Sequence, residues 1–185
     1  MASENRRAGE REEVEGLHLL LVEDNPGDAR LVEETVKDVG EHGSGWRFVD
    51  AADVTLVHES TLDAGLTRLG DDVDVLLLDL GLPGSSGLET LARVRARADD
   101  VPVVVLTGRP EAELGVEAVA RGAQEYLVKD ALTPDTLARA IEYAIERERI
   151  ERELRRRTEE LAILNHLTRH DVRNDVSLVA GRARE

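Results

Sequence analysis

The 185-residue chain contains no cysteine, which removes disulfides, thiolate metal sites and cysteine nucleophiles together. Aromatic residues make up only 2% of it, so a core has to be built from Val, Leu, Ile and Ala. No apolar run approaches the ~18 residues of a membrane span, and the N-terminal stretch MASENRRAGEREEVEG lacks the apolar centre of a secretion signal. A cytoplasmic protein without membrane contact is expected, with residues 1–16 a disordered tail. Positive charge is also scarce. The net charge is −15, and of 24 basic residues only Lys37 and Lys129 are lysines. An acidic chain is a poor match for a phosphate backbone, so no nucleic-acid partner is expected. An acidic, lysine-poor surface suits high salt, where screening removes self-repulsion, and points to a halophile; an acidic mesophile is the alternative.

The charge is unevenly placed. Residues 1–132 carry 28 acids against 13 bases, whereas Thr133 to Glu185 carries 11 of each. At ~150 residues per domain, the length fits one domain plus an appendage. With 41% hydrophobic and 34% charged residues, the chain has enough apolar content for a folded core.

Short apolar runs lie at His18–Val22, Val54–Val57, Val73–Leu78, Val101–Leu106 and Tyr126–Val128. Most are continuous rather than alternating, the pattern of strands buried on both faces of a parallel sheet. Amphipathic segments between them predict helices near Asp28–Val39, Thr61–Leu69, Ser86–Ala98, Glu111–Arg121 and from Pro134 onward. Five strands alternating with five helices make a doubly wound α/β fold. The stretch Gly40–Asp53, with Trp46 and Phe48, is long for a helix-to-strand connection and reads as an insertion. After Thr133-Pro134 there is no Gly or Pro until Gly181, so the last helix could exceed 40 residues. Leu137, Ala140, Ile141, Ala144 and Ile145 form a stripe able to cover the sheet. Ile150, Leu154, Leu161 and Leu164 then keep coiled-coil spacing, interrupted by Arg147 and Arg157. Pairing with another copy is expected, with a solvated single helix as the alternative.

In a parallel sheet of this kind ligands sit beyond the carboxyl ends of the strands. The sequence places Glu23 and Asp24 after the first strand, Asp79 after the third, Thr107 after the fourth and Lys129 after the fifth. Three converging carboxylates call for a hard divalent cation with oxygen ligands, most naturally Mg2+. Lys129 can neutralise a carboxylate and a phosphoryl oxygen, and Thr107 offers a hydroxyl. A carboxylate so equipped can accept a phosphoryl group as an acyl phosphate. Asp79 ends the most apolar strand and is the best nucleophile; in the turn after it, Leu80 to Gly84, Gly81 would offer a carbonyl to the metal. Asp28 reads as a helix cap, and His18, His42 and His58 as structural. A haloacid-dehalogenase-type phosphatase would need a second acid two residues after the nucleophile, where this chain has Gly81.

LLLVEDNPGDARL, VLLLDLGLPGSSGLE, VVVLTG and EYLVKD, in this order, resemble the receiver domain of two-component response regulators. The resemblance spans about 17–132, with 133–148 as the last receiver helix. It implies a flavodoxin-like sheet of order 2-1-3-4-5, Asp79 as phosphoacceptor, and Glu23, Asp24, Asp79 and the Gly81 carbonyl as Mg2+ ligands. It further implies Thr107 and Lys129 as phosphoryl contacts, Tyr126 as an aromatic switch residue coupled through Thr107, and a histidine kinase or phosphotransfer protein as partner. Where the family has a proline in cis after the lysine, this chain has Asp130. A cis bond there would cost ~3 kcal/mol, so a trans bond and an altered Lys129 loop are expected.

Residues 149–185 read as a coiled-coil-like connector and a partial dimerisation helix. The run His170-Asp171-Val172-Arg173-Asn174-Asp175 resembles the H-box of histidine-kinase dimerisation domains, in its HDxRND variant. It implies His170 as a second candidate phosphoacceptor, with Asp171 as base or ring-orienting group. His166 and His170 could instead share a metal, but no third ligand is evident. No second dimerisation helix or ATP-binding domain follows, so the expectation divides between a receiver with a C-terminal tail and the front part of a hybrid-type sensor kinase. If helical, the ~35 residues from Thr136 to His170 span on the order of 50 Å, which disfavours transfer between Asp79 and His170 within one chain. A transcription factor is the weakest reading, because no helix-turn-helix pattern follows the receiver.

Overall fold

The computed structural model describes residues 16–41, 46, 53–70, 72–85, 87–108 and 112–182, with only the backbone given at 112 and from 163 onward. The elements are β1 (Leu17–Val22), α1 (Pro26–Glu41), β2 (Val54–Glu59), α2 (Leu62–Arg68), β3 (Val75–Asp79), α3 (Leu88–Arg97), β4 (Val103–Thr107), α4 (Ala112–Ala120), β5 (Glu125–Val128), a 3-10 turn (Lys129–Ala131) and α5 (Pro134–Arg182). All strand pairs are parallel, in the order β2-β1-β3-β4-β5. The expected order is therefore observed, and the long Gly-free segment is one helix.

Two compact units divide the chain at Ile145 and Glu146. In the first unit, alternation along the strands splits the core in two. Leu17, Leu19, Leu21, Val75, Leu77, Val104 and Leu106 face one side, where Ala29, Val32, Val36 and Val39 of α1 and Leu137, Ala140, Ile141 and Ala144 of α5 cover them. Leu20, Val22, Leu76, Leu78, Val103 and Val105 face the other, against Leu62 of α2, Leu91 and Val94 of α3, and Ala118 of α4. Trp46 adds an aromatic to the first cluster; of the expected insertion at 40–53, Gly40 and Glu41 instead finish α1, and 42–45 and 47–52, His42 and Phe48 included, lie outside the described residues, as does the expected tail at 1–16 apart from Gly16, which is buried.

Local chemistry fixes the ends of the elements that carry the site. Asn25 caps α1, its Oδ1 accepting from the N–H groups of Gly27 at 2.8 Å and Asp28 at 3.4 Å. Thr133 caps α5 with Pro134 at its first position, and Thr133 and Thr136 exchange backbone-to-hydroxyl hydrogen bonds of 2.9 and 3.2 Å. After β3, Ser85 N–H donates to the Leu82 carbonyl around Pro83 and Gly84, whose φ of +80° is the left-handed corner of a type II turn. The second unit is the continuing helix, laced by ion pairs such as Arg147–Glu151 at 3.1 Å and Arg157–Glu153 at 2.6 Å.

Candidate functional site

Between β1 and β3 the strand order reverses, opening a crevice at their carboxyl ends. Glu23 follows the last residue of β1, Asp79 ends β3, Thr107 ends β4 and Lys129 follows β5. Glu23, Asp79, Thr107 and Lys129 are all buried, and Asp24 is exposed at the rim.

Lys129 organises this crevice. Its Nζ lies 2.5 Å from Glu23 Oε2, 2.8 Å from Asp28 Oδ2 and 2.9 Å from Asp79 Oδ1. Burial by itself would lower the ammonium's pKa, but hydrogen bonds to Asp28, Glu23 and Asp79 outweigh it and hold the group well above the ordinary lysine value. Burial raises the pKa of Glu23, against the lowering pull of Lys129 and the Asn25 N–H. The turn after β1 is held from outside by His58 Nε2, 2.8 Å from the Glu23 carbonyl oxygen. Asp79 Oδ2 accepts from the Gly81 N–H at 2.8 Å, and a Cβ at Gly81 would stand 3.0 Å from that same oxygen. A glycine here lets the backbone close over the carboxylate.

One carboxylate oxygen from each of Glu23, Asp24 and Asp79 lies within 4.8 Å of the others. Beyond the Lys129 ammonium, Glu23 Oε2 has no hydrogen-bond partner among the described residues. One ammonium set against three acids, and serving as the sole partner of the buried Glu23 oxygen among the described residues, leaves an excess of negative charge that fits a divalent ion with oxygen ligands.

Tyr126 is half-buried on β5 and packs on Gly115 of α4, where a Cβ would fall 2.9 Å from its ring. The Lys129–Asp130 peptide is trans and enters the 3-10 turn, closed by the Leu132 N–H on the Lys129 carbonyl at 3.1 Å. His18 pairs with Asp74, its backbone N–H donating at 2.7 Å. The expectation for Asp28 needs correction. Asn25 supplies the cap, and Asp28 turns its carboxylate to Lys129 as a fourth acid of the group. Its signal in sequence is only its place in the first turn after the Glu23-Asp24 pair. His166 and His170 lie on α5, with their side chains outside the described residues.

A family model for the response regulator receiver domain matches residues 19–142. The nitrate/nitrite response regulator protein NarL of Escherichia coli (strain K12) is 34% identical over 128 residues, 68% of this chain and 53% of that protein. The cell cycle transcriptional regulator CtrA of Caulobacter vibrioides is 29% identical over 123 residues, 66% of this chain and 48% of that protein. The chain thus spans about half the length of these curated relatives. Among solved structures, a response regulator receiver domain protein from Clostridium thermocellum shares the fold, with a TM-score of 0.58 at 23% identity over 72% of this chain and 98% of that one.

Proposed function

The chain belongs to the response regulator receiver domain family, and from that membership we propose that it takes a phosphoryl group onto Asp79 from a phosphohistidine of a histidine kinase or phosphotransfer protein. The observation that carries this is the single ammonium of Lys129 shared between Asp79 and Glu23 at the strand ends. An Asp79 oxygen forms the new O–P bond as the donor's N–P bond breaks, and the leaving imidazole takes a proton and departs neutral. Lys129 and the Thr107 hydroxyl donate to phosphoryl oxygens, while the Gly81 N–H keeps the Asp79 carboxylate oriented. Mg2+, held by Glu23, Asp24, Asp79 and the Gly81 carbonyl, would neutralise charge on the phosphoryl oxygens.

Drawing Thr107 and Lys129 toward the phosphoryl group repacks Tyr126 against α4, and the change leaves through α5, where a second copy of the helix is the expected partner. We assign residues 17–132 and 133–148 to the receiver and 149–185 to a connector, in a cytoplasmic, high-salt protein that binds neither nucleic acid nor membrane. The second reading, a hybrid-type sensor kinase with His170 as its own phosphoacceptor, is kept by the unbroken helix Pro134–Arg182 that carries this histidine. Incubation with acetyl phosphate and Mg2+ tests the acceptor. Base-labile label is expected on the native chain and none on Asp79→Asn; undiminished label on the variant refutes the assignment.

A further inference from the structure

The Lys129 ammonium has three N–H donors, and three carboxylates already occupy them. A phosphoryl oxygen on Asp79 can be bonded by Lys129 only if one of these gives way. Their surroundings decide which. The Glu23 side chain is 1% exposed and the Asp79 side chain 9%, and each is also held by a backbone N–H, of Asn25 and of Gly81 respectively. The Asp28 side chain is 37% exposed and has no other polar partner among the described residues. Its carboxylate can return to water at little cost, and the first turn of α1 favours a negative charge left there.

We propose that Asp28 is a positioning residue that holds the place of the phosphoryl group: it occupies the third donor of Lys129 in the resting site and surrenders it when Asp79 is phosphorylated. This rests on Asp79 being the acceptor. It makes the release of α1's first turn part of the response, and it makes Asp28 a competitor of the incoming anion, both for the ammonium and through its own negative charge.

The test uses beryllofluoride with Mg2+ as the probe, titrated by calorimetry into the native chain, Asp28→Asn, Asp28→Glu and Asp79→Asn, with folding checked by circular dichroism. Asp28→Asn should bind about 2- to 5-fold more tightly than the native chain, the scale of a half-exposed ion pair, and Asp28→Glu should return toward the native affinity. A readout at the lysine separates placement from fold stability. Only Lys37 and Lys129 carry an ε-carbon label in a lysine-labelled sample, so Lys129 can be followed by NMR. Its signal should differ between the native chain and Asp28→Asn without the probe and coincide when the probe is bound. Equal or weaker binding by folded Asp28→Asn, or signals that still differ in the bound state, overturns the placeholder role while leaving the acceptor standing. Failure of the native chain to bind the probe, or equal binding by Asp79→Asn, overturns the acceptor assignment and the placeholder with it.

Discussion

Replacing Lys129 with methionine keeps most of the side chain's volume and deletes the charge that Glu23, Asp28 and Asp79 share. The Lys129 side chain is 6% exposed, and its two inner partners are also buried. Removing one member of a buried ion pair costs about 3–5 kcal/mol, because the charges left behind are neither solvated nor paired. Glu23, already pushed toward its neutral form by burial, can take up a proton and relieve part of that, so about 3 kcal/mol is expected. For a domain of this size each kcal/mol moves the midpoint of thermal melting by roughly 3–5 °C, giving a fall of about 10–15 °C. The freed carboxylates should then bind Mg2+ at least tenfold more tightly than in the native chain, and at saturating Mg2+ each tenfold returns about 1.4 kcal/mol of the deficit. Melting Lys129→Met and the native chain in EDTA and in saturating Mg2+ measures both effects. The deficit should be full in EDTA and at least halved in Mg2+. Equal stability in EDTA, or the same Mg2+ increment in both proteins, refutes the account. The native ammonium is held above its ordinary value of 10.5, so its contribution is complete below that pH and is lost as pH rises through the higher folded-state value. Lys129→Met should lack this alkaline loss.

Gly115→Val drives a side chain into the Tyr126 ring, from which even a Cβ would be only 2.9 Å away. A loss of about 1–3 kcal/mol in urea unfolding is expected, and in combination with Tyr126→Ala it should shrink; strictly additive losses would mean the two residues do not meet. With a net charge of −15, the urea midpoint should rise between about 0.1 and 2 M KCl as self-repulsion is screened. A flat or falling midpoint contradicts the adaptation to salt inferred from the composition.

Strand existence was legible because strands buried on both faces leave continuous apolar runs. Their boundaries were less so. Runs beginning at Val73 and Val101 become strands only from Val75 and Val103, since both earlier valines pack against the core from the preceding loop without joining the ladder. Five site positions stood out because each lies at the end of a run: Glu23, Asp24, Asp79, Thr107 and Lys129. Asp28 did not, because the lysine it meets is 101 residues away in the chain. The contact of Gly115 with Tyr126 was hidden likewise, since a glycine within a helix carries no mark of the ring laid against it.

What the amino-acid order determined alone was the succession of elements, the buried stripe of α5 and its start at Thr133-Pro134, since periodicity and that start depend on residues within a few positions of one another. The tertiary structure decided how one ammonium is divided among three carboxylates, and that Asp28 is among them. Parallel pairing brings the carboxyl ends of β1 and β5, from opposite ends of the domain's sequence, to one end of the sheet, and only there do the distances that fix charge sharing exist.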